Sequence, residues 1–248
     1  MPAVLVHGNP ETDAIWDALR GHLARKDVVA LSPPGFGAPA ADDFGATSDD
    51  YLAWLAAEIG RIEGPVDLVG HDWGGGHVMR LAIERPELIR SWTMDIAGCF
   101  DPEYVWHDMA QVWQTPAAGE AAVAGMVGAP LEARTAQFEA LGMSKDVAAR
   151  VAAANDATMA RCILALYRSA KQPALAEWGK ELAKAAARPG LVIIATGDHY
   201  TGGEVLARRS AERAGALIAV LQDRGHWWMC EDPAQGAKAL DDFWATLR

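Results

Sequence analysis

Short apolar runs rich in Val, Ile and Leu alternate with longer stretches in which apolar side chains recur every three or four positions. Residues 3–6, 27–31, 66–70, 91–96, 190–195 and 216–221 have the length and β-branched character of buried strands. Between them, Trp16, Leu19 and Leu23, and then Tyr51, Leu52, Leu55, Ile59 and Ile62, keep helical spacing. The punctuation agrees with this reading. Thr47 followed by Asp50 marks a helix start, Gly64-Pro65 its end, residues 32–39 a turn-rich loop, and Asp232 before Pro233 the cap and first residue of a last helix. A further helix over about 204–214 separates the last two strands. Strands alternating with helices predict an α/β fold, a doubly wound, mostly parallel sheet of about six strands. From residue 98 to about 188 the strand signal stops, and alanine-rich helical sequence with interspersed Trp, Met and Tyr takes over. A helical cap inserted after the fourth strand is therefore expected, with residues 1–98 and 189–248 forming the two parts of the core and 99–188 the cap.

In open parallel sheets ligands sit outside the carboxyl ends of the strands, and four polar or glycine-rich segments, 7–10, 70–74, 196–200 and 224–228, follow strand ends. In Gly70-His71-Asp72-Trp73-Gly74 the glycines stand two before and two after Asp72, so the chain can turn sharply from strand to helix with Asp72 at the tip. A carboxylate attacks carbonyls poorly. It can displace a leaving group from a saturated carbon, giving an alkyl ester of the protein that water must then cleave. Taken alone, Asp72 reads equally well as a helix cap. It is accompanied, however, by Asp198 after the fifth strand and His226 after the sixth. Asp72, Asp198 and His226 follow the chain order nucleophile, acid, base given for α/β-hydrolase triads. Asp95, at the end of the fourth strand, is the alternative acid.

On these residues the chain resembles the α/β-hydrolase superfamily, and its elbow is similar to those of the haloalkane dehalogenase and epoxide hydrolase branches. The resemblance covers nearly the whole chain, apart from the first two antiparallel strands of the usual fold, and is loose in the cap. It implies that the main-chain amides of Asn9 and Trp73 form an oxyanion hole and that His226 activates water against the Asp72 ester. Asp198 takes the acid's place when counted from the strand start, whereas counting from Gly197 lands on Tyr200. In His7-Gly8-Asn9-Pro10, Asn9 is the carboxamide that dehalogenases of similar pattern carry, and with the Trp73 indole it fills both halide-binding positions. Tyr167, in Ala165-Leu166-Tyr167-Arg168, is similar to one of the two ring-opening phenols of epoxide hydrolases. Tyr104 is the candidate for the second and does not fall on the family position. Trp106, Trp113 and Trp178 either line an apolar cavity or pack the cap. The bland alternatives are an Asn9 bonded to its own backbone, a Tyr167 that is core, and a structural His226.

Composition narrows the partners. The 248 residues, 51% hydrophobic with a mean hydropathy of zero, suffice for one large core. With 33 acidic against 22 basic residues, the net charge of −11 opposes binding to nucleic acid or to an anionic membrane surface. No basic segment followed by an apolar run opens the chain and no apolar stretch is long enough to span a bilayer, so a cytoplasmic protein is expected. Cys99, Cys162 and Cys230 are scattered as reduced thiols would be, and the absence of Cys-x-x-Cys or His-x-x-x-His spacing leaves no metal or cofactor to expect. The expected function is hydrolysis of a small uncharged apolar substrate through an aspartyl ester, haloalkane dehalogenase-like, by a monomer or homodimer. Epoxide hydrolysis is the alternative, and a non-catalytic ligand-binding protein of the same fold is the alternative of another class.

Overall fold

Side chains alternate along each strand, and here the alternation feeds two separate cores. The computed structural model describes residues 1–247 and contains six strands: β1 (Ala3–Val6), β2 (Val28–Leu31), β3 (Val66–Gly70), β4 (Ile89–Met94), β5 (Gly190–Ala195) and β6 (Leu217–Leu221). All pair in parallel, in the order β2-β1-β3-β4-β5-β6. Val4 and Val6 of β1 face the core built with α2 (Ser48–Gly60), α3 (Trp73–Glu84) and α10 (Gly203–Arg213). Ala3 and Leu5 face the other, built with α1 (Asp17–His22) and α12 (Pro233–Ala245). Both faces of the four inner strands are covered, as near-continuous apolar strands require, while the edge strand β6 leaves Leu217, Ile218 and Val220 exposed.

Local signals hold where the sequence placed them. Thr47 and Asp50 form a reciprocal capping box at the start of α2, and Asp232 caps α12 through the Gln235 amide at 3.1 Å. The acid inside β3, Asp67, is fully buried and compensated by Arg25 at 2.7 Å, the Ser91 hydroxyl at 2.6 Å, and Arg90. β2 and β6 each start one residue later than expected, at Val28 and Leu217, and both ends of β4 differ. β4 starts at Ile89, which pairs with Val66 and is buried, and it stops at Met94, which leaves Asp95 in the loop beyond.

Between β4 and β5 lie a short turn of helix (Ala97–Phe100), then α4 (Asp108–Gln114), α5 (Ala118–Gly128), α6 (Leu131–Ala140), α7 (Lys145–Ala154), α8 (Ala157–Ser169) and α9 (Ala174–Gly179). Among the described residues this segment contains no strand. α8 is its most amphipathic helix, with Met159, Ile163, Leu166 and Tyr167 turned into the core. A final short helix, α11 (Trp228–Glu231), precedes α12. The last segment, expected over 189–248, is described to Leu247, and Arg248 lies outside the described residues. The chain passes from β1 to the edge strand β2 and returns to β3 on β1's other side, so the strand order reverses between β1 and β3. The loops after those two strands flank the crevice that such a reversal opens.

Candidate active site

Only two residues separate the end of β3 from the start of α3, and the reversal is concentrated at Asp72, whose φ of 49° and ψ of −128° lie where a side chain costs about 1–3 kcal/mol. Small residues make the bend possible. A Cβ on Gly74 would overlap the Val6 carbonyl, and one on Gly8 would overlap the Asp72 carboxylate itself. The turn is then pinned by its amides, the His71 N–H donating to the Val6 carbonyl at 2.9 Å and the Asp72 N–H to Asp95 Oδ1 at 3.0 Å.

The Asp72 carboxylate faces two partners. Its Oδ1 accepts from the Asn9 main-chain N–H at 3.0 Å, and its Oδ2 lies 3.7 Å from His226 Nε2. The side chain is 16% exposed, which leaves it reachable from a cavity. Loss of water pushes its pKa up to about 6, against the opposing pull of His226. His226 Nδ1 lies 2.7 Å from Asp198 Oδ2, and Asp198 Oδ1 accepts from the Tyr200 amide at 2.7 Å. Since a carboxylate only accepts, Nδ1 carries the proton and Nε2 is turned to Asp72. Burial alone would lower the pKa of His226, but the charge and hydrogen bond of Asp198 outweigh it and raise it above 6.5. Burial likewise works against ionised Asp198, and His226 nevertheless holds that carboxyl below its usual range.

Asp95, the alternative acid, takes a different place. Its Oδ2 accepts from His71 Nδ1 at 2.5 Å and from the Trp228 indole at 2.7 Å, while its Oδ1 holds the Asp72 amide. β4 ends at Met94, two residues before its expected end, and Asp95 in the loop beyond it supports the elbow, so it is Asp198 that meets His226.

Two residues of this centre were not singled out from the sequence, Glu11 and His71. Both are fully buried. Glu11 accepts from His71 Nε2 at 3.2 Å, from the Gly8 amide at 3.3 Å and from the Trp227 indole. His71 therefore has a carboxylate on each ring nitrogen, an arrangement that both nitrogens satisfy only as donors. Burial opposes that charge, but Asp95 and Glu11 raise the His71 pKa well above 6.5. Burial also works against an ionised Glu11, which His71 holds at about 2. Ligand-type atoms of Glu11, His71 and His226 lie within 4.8 Å of one another, but those of Glu11 and His71 are engaged in this hydrogen-bonded chain.

Around the carboxylate the predicted contacts gather. Asn9 is buried with neither atom of its side-chain amide hydrogen-bonded. The Trp73 ring stacks on Trp106 at 5.9 Å and meets Tyr167 edge-on at 5.3 Å, and Tyr167 in turn packs on Trp113 at 4.8 Å. Burial, with the Asp72 charge beside it, pushes the Tyr167 pKa well above 10. Tyr104 is otherwise engaged, since its hydroxyl donates to the Tyr200 carbonyl at 2.8 Å. Tyr104 and Trp106 line a narrow recess together with Asp72 and Trp73. A cavity of about 470 Å³ opens on Asp72, Asn9, His226, Tyr167 and Trp113 and extends beneath α5 and α6.

A doubly wound parallel sheet with a strained turn after its third strand, faced by an acid-histidine pair, defines an α/β-hydrolase-like protein. The chain belongs to the alpha/beta hydrolase family, whose model matches residues 3–239. It is 34% identical to Lipase LipV of Mycobacterium tuberculosis over 91 residues, 36% of this chain and 34% of that one. Over 91 residues it is 29% identical to (E)-2-((N-methylformamido)methylene)succinate hydrolase of Acinetobacter baylyi, 36% of this chain and 35% of that one. The match thus spans about a third of the length of these curated relatives. Haloalkane dehalogenase DbeA from Bradyrhizobium elkani superposes with a TM-score of 0.75 at 19% identity, covering 99% of this chain and 90% of that one, a likeness of fold. Among the described residues no helix is long and apolar enough to cross a membrane.

Proposed function

We propose that the protein is a hydrolase that works through an alkyl ester on Asp72, acting on a small substrate whose reacting end is apolar and uncharged. Asp72 Oδ2 attacks a saturated carbon, the carbon–halogen bond breaks, and the halide leaves with the bonding electrons. The indole N–H of Trp73 and the side-chain amide of Asn9 receive that anion. His226 then takes a proton from water through Nε2 as the water oxygen adds to the Asp72 carboxyl carbon. Charge gathers on Oδ1, against the amides of Asn9 and Trp73. The bond from the carboxyl carbon to Oδ2 then breaks, His226 returns its proton to the departing oxygen to give the alcohol, and the carboxyl group, now holding the water oxygen, loses its remaining proton to solvent. Asp198 orients His226 and stabilises its charged form. The observation that carries this reading is the sequence of contacts from Asp72 Oδ2 to His226 to Asp198, at 3.7 and 2.7 Å, with Asp72 and His226 on the wall of a cavity of about 470 Å³.

The unpartnered Asn9 amide favours halide as the leaving group. Epoxide opening has one observation in its favour, the buried Tyr167 phenol against the Trp73 ring, placed to protonate an alkoxide. The test is to incubate a His226→Gln variant with 1-bromobutane or 1,2-epoxyhexane and weigh the peptide that contains Asp72. A mass gain equal to the alkyl or hydroxyalkyl group on Asp72 is expected. An unmodified Asp72 with both reagents overturns the proposal, and the reagent that modifies it faster decides between the two leaving groups.

A further inference from the structure

The cavity that reaches Asp72 also has a cation on its wall. Arg134, on α6, is its only guanidinium or ammonium, set among Ala122, Met126, Phe138 and Leu141. Arg134 makes one hydrogen bond, from Nη1 to the Asn155 carbonyl at 2.5 Å, and no carboxylate lies within ion-pairing distance among the described residues. Its Nε is buried without an acceptor. Asn155 beside it is buried, and its side-chain nitrogen donates to the Val151 carbonyl at 2.9 Å and reaches toward the Pro10 carbonyl at 3.5 Å. Arg134 is thus linked through one side chain to the loop that carries Asn9.

Although the chain has 33 acidic residues against 22 basic ones, no acid pairs with this guanidinium among the described residues, and most of its neighbours on the cavity wall are apolar. Burying polar N–H groups unpaired costs free energy unless a ligand or water accepts from them. The other ionisable groups of the cavity do not supply Arg134 with a counter-charge. Asp72 and His226 face each other at the reacting end, and burial lowers the His107 pKa to about 4, which leaves that ring neutral at neutral pH.

We infer that the Arg134 guanidinium forms an anion subsite, and that the substrate carries a carboxylate at the end away from the carbon that Asp72 attacks. This deepens the proposed function and rests on its assignment of the cavity as the substrate site. It amends the expectation of a wholly uncharged substrate: the reacting end is apolar, the far end anionic. A guanidinium offers a planar fork of donors that a carboxylate matches with two oxygens, and the apolar wall between the ends suits a short aliphatic chain.

The inference is tested by binding, without turnover. Titration calorimetry at neutral pH compares hexanoate with hexanamide, which has the same chain and no charge. The wild type is expected to bind hexanoate at least about tenfold more tightly, against the repulsion of its net negative charge. Arg134→Gln is expected to reduce that ratio to near one, and Arg134→Lys to retain part of it, with thermal midpoints confirming that both variants are folded. A wild type that binds the two equally, or an Arg134→Gln variant that keeps the preference, overturns the subsite. The wild-type ratio alone suffices if a variant does not fold. Asp72 alkylation by neutral 1-bromobutane is scored separately, so a failed subsite and a failed nucleophile give different results.

Discussion

His71 Nδ1 stands 2.5 Å from Asp95 Oδ2, and its other nitrogen faces Glu11, so a buried imidazolium lies directly beneath the elbow. The same Asp95 holds the Asp72 amide, which couples this charge cluster to the position of the proposed nucleophile. Removing one member of a buried ionic cluster leaves the others uncompensated, at a cost of about 3–5 kcal/mol. Glu11→Ala, which also orphans the Trp227 indole, is expected to lose stability in that range by urea unfolding at neutral pH. Glu11→Gln, which keeps an acceptor, is expected to lose less. Because the folded pKa of His71 is raised, its contribution is fully present below pH 6.5 and is lost as pH rises through the higher folded value. An Glu11→Ala variant as stable as wild type would show that the cluster contributes nothing.

Asp72 has the opposite consequence at neutral pH. Its folded pKa of about 6 lies above the ordinary 3.8, so its favourable contribution is present below 3.8 and is lost as pH rises to 6, beyond which the enclosed charge is carried in full. Asp72→Asn keeps an oxygen for the Asn9 amide and removes the charge. Its thermal midpoint is expected to exceed that of wild type above pH 6, with the gap closing on acidification toward pH 3.8. A gap that persists unchanged into acid would mean that the charge is not the cause.

The strands and the elbow were legible because they depend on neighbours in sequence. Val-Ile-Leu runs mark the strands, and glycines at fixed offsets mark the bend at Asp72. Counting from the start of β5 assigned Asp198 the acid's place, and the structure brings its carboxylate to His226. The choice between Asp95 and Asp198 needed the exact end of β4, and strand ends are what apolar patterning locates least well. Glu11 and His71 were not singled out because they lie 60 positions apart and meet only when β1 pairs with β3. Arg134 stayed hidden for a related reason: within the helical segment no strand register says which side of α6 faces the cavity.

Asn9 separates leaving-group chemistry from stability. Its side-chain amide has no hydrogen bond to lose, so Asn9→Ala is expected to unfold within about 1 kcal/mol of wild type. If that amide receives the halide, bromide release from 1-bromobutane should slow by roughly 10²–10³-fold, the usual effect of removing one donor from a developing anion. Diol formation from an epoxide, in which the oxygen stays on the carbon chain beside Tyr167, should change less. Halide release that survives the substitution unchanged would remove Asn9 from the mechanism.

The two half-reactions make opposite demands on protonation, and the pKa values at the site separate them. Asp72 must be ionised to attack, so ester formation rises through about pH 6. His226 must be neutral at Nε2 to take a proton from water, and its pKa is raised above 6.5, chiefly by Asp198 against the pull of burial. Esterification removes the Asp72 charge, the smallest of the contributions that raise it, while Asp198 remains. Near pH 6.5 the ester should therefore form faster than it is cleaved, and as pH rises the imbalance should fade. Acid-quenched wild-type protein, weighed intact during steady turnover, is expected to carry the alkyl mass on a larger fraction of molecules near pH 6.5 than two units higher. A fraction that does not change across this range would mean that His226 is not the base that cleaves the ester.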